Sequence, residues 1–178
     1  MYKSRNLFRK NKIPSYQINE KPIYISIESK LIVESYTKIK LIIAPRHLER
    51  VKNIEDLLKK NNINFSLKSS GKNFKDVDVI ILDTTGELSN VYSISAFSII
   101  FGSFDSTGGH NPLEATVWGI PTISGANIKN FKVIYRELTK NNCSKIVNSE
   151  NELFEISKKL IEDSEFYNSM KLNCEKTI

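Results

Sequence analysis

The chain of 178 residues is 40% hydrophobic and 26% charged, with a formal net charge of +6. This length and this apolar content are typical of one globular domain with its own core. No apolar run approaches the ~20 residues of a membrane span, and the basic N-terminus lacks the apolar centre of a secretory signal, so we expect the chain to stay in the cytoplasm.

The positive charge fits three situations: an anionic membrane surface, nucleic acid, or no particular partner. Lysines are scattered among many Asn and Ile residues, so a compositional bias of the source genome is the simplest cause. Nucleic acid is disfavoured, because no zinc finger, recognition helix or aromatic-basic interleaving occurs. Cys143 and Cys174 match no zinc or redox spacing, and two isolated thiols fit a reducing compartment. We expect no metal and no cofactor.

The chain begins with a basic stretch, residues 1–22, that has little periodicity and is interpreted as a linker or tail. Residues 23–178 are predicted to form one domain. Its first elements are a strand from Ile23 to Ile27, a helix from Ser29 to Lys40 and a buried parallel strand from Leu41 to Ala44.

Arg46 and His47 follow the buried strand at 41–44 directly. In doubly wound sheets ligands bind beyond the carboxyl ends of the strands, so Arg46 is placed to reach a phosphate. The alternative is a surface arginine that pairs with Glu49 or Glu87. His47 is either a ligand contact or a hydrogen-bonded loop residue, and the second interpretation is favoured.

A second turn of the same kind follows the strand from Val77 to Leu82. Thr85 and Gly86 lie in this turn, and a helix is predicted from Glu87 to about Ser95. The carboxylate of Glu87 either faces a ligand or only caps its own helix.

The third turn is Gly108-Gly109-His110-Asn111-Pro112-Leu113-Glu114. The apolar run from Ile94 to Phe104 predicts a strand leading into it. The two glycines let the backbone turn tightly and are expected to leave amide groups uncovered. Asn111 is a good N-cap and Pro112 suits the first helical position. Gly119 is placed to end the short helix in the left-handed conformation, before a new strand at Thr122.

This third turn aims a helix N-terminus and several amides at one place, which suits a phosphate or a carboxylate. Glu114 lies in the first turn of the helix. Its carboxylate either only interacts with the helix dipole or accepts hydrogen bonds from both vicinal hydroxyls of a ribose. The pattern alone leaves these two readings evenly balanced.

The remaining elements are helices from Val133 to Lys140, from Glu152 to Ile161 after the cap Ser149, and from Phe166 to Cys174. Strands therefore alternate with helices along the chain. This order predicts an α/β fold with a doubly wound parallel sheet, in which the three strand-end turns meet at one edge.

Residues 108–114 resemble the signature of the Kdo (3-deoxy-D-manno-octulosonic acid) transferases, which add Kdo from CMP-Kdo to lipid A precursors. Ile42-Ile43-Ala44-Pro45-Arg46-His47 and Leu82-Asp83-Thr84-Thr85-Gly86-Glu87-Leu88 match the same family in the same order. The resemblance covers roughly residues 38–175 and implies the Rossmann-like C-terminal domain of a GT-B glycosyltransferase. It assigns to CMP the residues Pro45, Arg46, Thr85, Gly86, Glu87, Gly108, Gly109, Asn111, Pro112, Leu113 and Glu114.

The same resemblance implies a role in lipopolysaccharide biosynthesis, in the cytoplasm or peripherally on the cytoplasmic face of the inner membrane. CMP-Kdo is the implied donor. The lipid A precursor and the catalytic base belong to the N-terminal half of the family, so this chain has no expected catalytic residue and is expected to be inactive alone. The alternative is a non-catalytic truncated remnant or a stand-alone nucleotide-binding module.

The sequence also departs from the family pattern. Ser26-Ile27-Glu28-Ser29 stands where the family has a Ser-Thr-His-x-Gly-Glu-Glu loop. Phe101 replaces a glycine and is expected to crowd a loop near the sugar, and Ala115 replaces a proline. Asn127 to Phe131 resembles a family loop and is placed to cover the nucleotide.

Overall fold

The computed structural model describes residues 22–24, 39–71 and 74–178. These residues form one seven-stranded sheet flanked by helices. The strands are β1 (Pro22–Tyr24), β2 (Lys40–Ile43), β3 (Phe65–Leu67), β4 (Val79–Ile81), β5 (Ser98–Ile100), β6 (Thr122–Gly125) and β7 (Ser144–Val147). The α-helices are α1 (Val51–Lys60), α2 (Leu88–Ile94), α3 (Leu113–Thr116), α4 (Lys132–Lys140), α5 (Glu150–Glu162) and α6 (Ser164–Thr177), and single 3-10 turns cover Leu48–Arg50, Lys68–Ser70 and Lys129–Phe131.

The sheet has the order β3-β4-β2-β1-β5-β6-β7, and its paired strands are all parallel. From β1 the chain first builds β2, β3 and β4 on one side, then crosses to build β5, β6 and β7 on the other. The direction of winding therefore reverses at β1. The predicted doubly wound parallel sheet is confirmed, and the carboxyl end of β1 is its topological switch point.

The central strands are buried on both faces, which explains their apolar sequences. Leu41 of β2 lies opposite Val79 of β4, and both are at most 4% exposed. Helix α1 covers this part of the sheet with Ile54 and Leu58, which are 3% and 4% exposed. Each such side chain contributes roughly 1.5–3 kcal/mol by its burial.

The predicted helix from Ser29 to Lys40 differs from the structure at its end. Lys40 belongs to β2 and is only 8% exposed. Its ammonium donates hydrogen bonds to the carbonyl oxygens of Lys75 and Val77, both at 2.5 Å, so a buried charge is satisfied by backbone. Residues 25–38, which include most of this helix, the end of the first predicted strand and the departing loop at 26–29, lie outside the described residues. So do residues 1–21 of the predicted tail, whereas Pro22 lies in β1.

The strand predicted from Ile94 to Phe104 is much shorter in the structure. Ile94 ends α2, and β5 covers only Ser98–Ile100. Gly102 has a φ of 73°, which ends the extended conformation at once. The segment from 101 to 112 is therefore irregular, and it carries most of the candidate site.

Cys143 and Cys174 are joined as a disulfide, so the expectation of two isolated thiols is wrong. Their Cα atoms lie 4.7 Å apart although the residues are 31 positions apart in the sequence. The bond ties the turn before β7 to the last helix, α6. Within the described ranges, every helix is too short or too polar to cross a bilayer.

Candidate functional site

Two loops meet above the carboxyl end of β1. Arg46 comes from the loop after β2, and His110 from the loop after β5. Their atoms Nη1 and Nδ1 are 2.9 Å apart. Because β2 and β5 lie on opposite sides of β1, this contact spans roughly 10 Å of sheet. It bridges the switch point, which is where doubly wound sheets bind ligands.

Arg46 does not take part in the surface ion pairs considered from the sequence. Glu49 instead pairs with His47, with 3.9 Å between Oε1 and Nδ1, and Glu87 pairs with Lys68, with 3.7 Å between Oε1 and Nζ. The Arg46 side chain is exposed and turns toward His110 instead. The guanidinium therefore lies exposed beside His110 at the switch point, with further donors available to an anion.

His110, to which the sequence assigned no role, is held by the turn of its own loop. The amide of Gly109 donates to the carbonyl of Gly102 at 2.6 Å, and the amide of His110 donates to that of Phe101 at 3.0 Å. These bonds fold the loop back over the end of β5. A Cβ on Gly102 would lie 3.0–3.3 Å from three atoms of the imidazole ring, so the ring packs directly on that glycine.

Tyr135 of α4 supports His110 from below and was also missed from the sequence. It is fully buried; its hydroxyl accepts a hydrogen bond from Ser124 Oγ at 2.5 Å and donates to the His110 carbonyl at 3.5 Å. Burial raises the pKa of Tyr135 to about 12, although the Ser124 hydrogen bond opposes the rise. The phenol therefore remains a donor at neutral pH. Its helical spacing marks Tyr135 only as a core residue, so the sequence gave no signal of this contact.

The charges around His110 act in both directions on its pKa. Burial lowers the pKa first, and the nearby charge of Arg46 lowers it further, whereas Asp105 and Glu114 raise it. The net shift is downward from the ordinary histidine value. The imidazole is therefore neutral at neutral pH. Since a guanidinium only donates, Nδ1 is the acceptor and the ring proton lies on Nε2.

The glycines at 108 and 109 have φ values of 95° and 86°, as the turn prediction requires. Their packing differs from the prediction. A Cβ on Gly108 would lie 2.6 Å from Lys129 Cε and 2.9 Å from Asn130 Oδ1, so a neighbouring loop covers this glycine. The Gly109 amide is also already hydrogen-bonded to Gly102. The expectation that both glycines leave their amides uncovered is therefore wrong for Gly109.

The segment from Asn127 to Phe131 provides that cover. Asn130 donates from its backbone amide to Gly108 O at 3.0 Å and from its side chain to Thr107 O at 2.9 Å. Asn127 Nδ2 and Lys129 Nζ donate to the carbonyls of residues 105 and 106, at 2.5 Å and 3.2 Å. The polar side chains of this segment therefore fix the glycine turn.

Helix α3 starts at Leu113, one residue after the predicted first position Pro112. Asn111 Oδ1 accepts from the Leu113 amide at 3.1 Å, and Pro112 already has helical dihedral angles of −74° and −19°. Gly119 has a φ of 72° and follows the helix. Yet α3 is one turn long, so its dipole is weaker than that of a full-length helix.

Glu114 lies in that turn and is exposed. Its charge acts on His110 and, more weakly than burial does, raises the pKa of the buried Tyr92. Within the described part of the chain, no side-chain hydrogen bond or ion pair engages the Glu114 carboxylate. It is thus an exposed acceptor near His110 that is available to a ligand.

The loop after β4 carries Thr85, Gly86 and Glu87. Thr85 and Gly86 are exposed, and Gly86 has a φ of 79°. The Glu87 carboxylate accepts a hydrogen bond from the Thr84 hydroxyl and pairs with Lys68. Glu87 occupies the N-cap position of α2, but its side chain accepts no hydrogen bond from the helix amides.

The Phe101 ring lies 5.1 Å from that of Phe104 and packs against the main core. That it crowds a loop near the sugar stays a prediction. Ser103 also stabilises this region, because its Oγ donates to Ile100 O at 2.7 Å and accepts from the Gly125 amide at 2.8 Å.

The site combines a cation, a neutral imidazole and an open carboxylate. The described residues contain no group of three or more His, Cys, Asp or Glu that could hold a metal ion. Such an arrangement suits a ligand that carries both a phosphate and hydroxyl groups.

Comparison with known proteins identifies relatives with this fold. No model of a protein family matches the chain. It is 34% identical over 134 residues to the 3-deoxy-D-manno-octulosonic acid transferase of Haemophilus influenzae, covering 68% of this chain and 31% of that protein. With the transferase of Aquifex aeolicus it shares 36% identity over 124 residues, covering 70% and 34%. The chain therefore spans about a third of the length of these relatives.

Solved structures show the same fold. The C-terminal CMP-Kdo binding domain of WaaA from Acinetobacter baumannii superposes with a TM-score of 0.81 at 24% identity, covering 89% of both chains. The C-terminal domain of the glycosyl transferase LpcC from Francisella tularensis gives 0.60 at 14% identity, covering 88% and 83%. The predicted architecture, a GT-B C-terminal domain, and the resemblance to the Kdo transferases are both confirmed.

Proposed function

We propose that this chain is the donor-binding domain of a Kdo transferase and that it binds CMP-Kdo in the cleft above β1. Two comparisons support the proposal: identity to Kdo transferases over about two thirds of this chain, and a shared fold with a CMP-Kdo binding domain. The observation that carries it is the contact of Arg46 with the loop at 108–114, because it brings two family motifs together at the switch point.

The residues divide into direct contacts and supports. Arg46 binds the phosphate of CMP, since a guanidinium offers several donors to phosphate oxygens. Glu114 accepts hydrogen bonds from the two ribose hydroxyls. The exposed Thr85 and Gly86 form the adjoining wall together with Pro45 and Glu87. The supporting residues of the turn are Gly108, Gly109, Asn111, Pro112 and Leu113.

The proposed reaction moves an acidic sugar from CMP to a hydroxyl of a lipid A precursor. It needs a base at the acceptor and a positive charge at the departing phosphate. Arg46 supplies the second requirement. By analogy with the family, the base and the acceptor site come from an N-terminal domain at the cytoplasmic face of the inner membrane, in lipopolysaccharide biosynthesis. A net charge of +6 is compatible with an anionic surface.

Calorimetric titration with CMP, UMP and AMP tests the donor site. We expect CMP to bind most tightly and Arg46→Met to weaken it at least tenfold, a change of about 1.4 kcal/mol. Arg136→Met is the matched control, because Arg136 is an exposed arginine of α4. Absence of binding, or equal affinity for the three nucleotides, would contradict the proposal.

The second candidate is a nucleotide-binding module without transferase activity. Its motivation is that transfer needs an acceptor held beside the donor, since bringing the two together supplies much of the rate, and the site described above offers groups for a donor nucleotide only. We expect the 178-residue chain alone to release no CMP from CMP-Kdo in the presence of a lipid A precursor. Turnover by the chain alone would show that it contains its own base.

A further inference from the structure

We propose that His110 is a positioning residue for Arg46, and that its protonation releases the guanidinium and weakens phosphate binding in the cleft. The neutral Nδ1 accepts the Arg46 hydrogen bond and holds the side chain over the switch point. This inference rests on the proposed function only in naming CMP as the phosphate ligand. The coupling of the two side chains does not depend on it.

The first support is geometric. Arg46 Nη1 and His110 Nδ1 are 2.9 Å apart and come from residues 64 positions apart in the sequence. Arginine has no acceptor atoms, so the bond exists only while Nδ1 carries no proton. The other edge of the ring, with Cε1, Nε2 and Cδ2, would lie within 3.0–3.3 Å of a Cβ on Gly102. The ring is therefore confined between Gly102 and Arg46.

The second support is the fixed backbone of His110. Its amide donates to Phe101 O at 3.0 Å, and its carbonyl accepts from the buried hydroxyl of Tyr135 at 3.5 Å. Tyr135 in turn accepts from Ser124 at 2.5 Å. The backbone of His110 is thus hydrogen-bonded to its surroundings through both its amide and its carbonyl. The imidazole that it carries can therefore act as a rigid support for a long, exposed arginine side chain. Fixing such a side chain before the ligand arrives reduces the entropy cost of binding.

The charges that face His110 come from three elements. Arg46 and His47, from the loop after β2, disfavour the imidazolium, whereas Asp105 of the same loop as His110 and Glu114 of α3 favour it. Tyr135 of α4 is uncharged at neutral pH, because burial raises its pKa. Burial and Arg46 prevail, so the pKa of His110 lies below its ordinary value. Protonation consequently takes place on the acid side of neutrality and places two cations side by side.

A ligand-free experiment decides the coupling. The chain has two histidines, so the imidazole nitrogen resonances of a 15N-labelled sample are assigned with His47→Gln alone. We expect His110 to carry its proton on Nε2 and to titrate below the ordinary histidine value. Arg46→Met should raise the His110 midpoint and allow both tautomers. A proton on Nδ1, or a midpoint unchanged by Arg46→Met, would overturn the inference.

A binding experiment then measures the consequence. CMP affinity is compared between the unmodified chain, His110→Gln and His110→Phe at about pH 8 and about pH 5, on either side of the histidine range. Gln provides a neutral acceptor at both pH values, whereas Phe provides none. Because the phosphate of CMP itself titrates near pH ~6, only the ratio of affinities between two proteins is interpreted.

We expect the unmodified chain and His110→Gln to agree within about twofold at the higher pH, and the unmodified chain to bind at least about fivefold more weakly than His110→Gln at the lower pH. His110→Phe should be weak at both. A constant ratio, or a gain by the unmodified chain in acid, would contradict the inference and indicate that the imidazolium itself binds phosphate. If no protein binds CMP, the proposed function fails while the nitrogen resonances still decide the role of His110.

Discussion

The loops after β4 and β5 lie on opposite sides of the switch point, and both depend on glycines with positive φ. In the loop after β5, Gly108 is covered by Lys129 and Asn130, and a Cβ there would lie 2.6–2.9 Å from their atoms. In the loop after β4, Gly86 has a φ of 79°, and among the described residues no atom outside its own chain neighbours lies within 4 Å of such a Cβ. The first glycine is required by packing between loops, whereas the second is required only by its own backbone.

This difference separates a rigid half of the cleft from an open half. The loop after β5 is tied to Gly102, to the segment at 127–131 and to Tyr135, and it presents His110 and Glu114. The loop after β4 is tied mainly at its base, where Asp83 accepts from the backbone and hydroxyl of Ser69. We infer that the ribose contact belongs to the rigid half, which also holds the Arg46 side chain through His110, and that the open half adapts to the rest of the ligand.

The largest expected effect is on the free energy of unfolding, when one methyl group is added to each loop. Gly108→Ala forces both an unfavourable φ, at about 1–2 kcal/mol, and an overpacked contact, at about 1–3 kcal/mol. Gly86→Ala carries only the first cost. Urea denaturation of both variants measures the two changes in the free energy of unfolding. Equal losses would show that the two loops are equally open.

The next comparison is between the carboxylates of Glu114 and Glu87. Glu114→Ala should lower CMP affinity at least tenfold, because it removes two charge-assisted hydrogen bonds of about 1.5–3 kcal/mol each, less the bonds to water regained. Glu87→Ala should have a smaller effect on affinity, since the Glu87 carboxylate is engaged by Thr84 and Lys68. Calorimetry measures both, and thermal stability should hardly change for Glu114→Ala.

The ligand 2′,3′-dideoxy-CMP sharpens this test, since it offers no ribose hydroxyls. The unmodified chain should bind it about as weakly as Glu114→Ala binds CMP, and the variant should not distinguish the two ligands. A variant that still prefers CMP by the original margin would place the ribose elsewhere.

A smaller effect is expected at the start of α3. Asn111→Ala removes the side chain that accepts from the Leu113 amide, so it should cost about 1 kcal/mol of stability. Asn111→Asp, which retains an acceptor at that position, is the matched control in chemical denaturation and should restore most of the loss. A loss of the same size in both variants would mean that the cap contributes nothing.

The smallest expected effect is the pH dependence of stability, which differs between the loops. Burial, followed by Arg46, lowers the pKa of His110 in the folded chain. Burial alone would raise the pKa of Asp83, but the hydrogen bonds from Ser69 outweigh it and lower the pKa. In each case the unfolded chain binds more protons between the two pKa values, so stability rises with pH in that window.

The contribution of His110 to the free energy of unfolding is therefore fully present above its ordinary pKa of 6.5. It is lost as the pH falls through the lower pKa that His110 has in the folded chain. The Asp83 contribution is present above 3.8 and lost below it. Urea midpoints should be measured across both pH windows. We expect His110→Gln to remove the pH dependence of stability only in the His110 window, and Asp83→Asn only in the Asp83 window. If His110→Gln changed the pH dependence in the Asp83 window, or Asp83→Asn in the His110 window, the two titrations would have been assigned to the wrong residues.

The amino-acid sequence by itself determined the features that depend on neighbouring residues. The apolar runs at 41–43 and 79–81 are buried parallel strands, and Gly119 has the predicted positive φ. Ser149 accepts from the Glu152 amide at 3.2 Å and begins α5, as its cap pattern indicated. Such features follow from the steric preferences and hydrogen bonds of a few consecutive residues, so a local pattern is sufficient.

Tertiary structure alone decided which residues meet across the sheet. The partnership of Arg46 with His110, the disulfide of Cys143 with Cys174 and the cover of Gly108 each join segments at least 21 residues apart. No pattern of adjacent residues encodes such contacts, because they arise only when the strand order brings distant loops to one edge. For that reason the sequence indicated the three candidate loops, whereas the role of His110 emerged only from the folded chain.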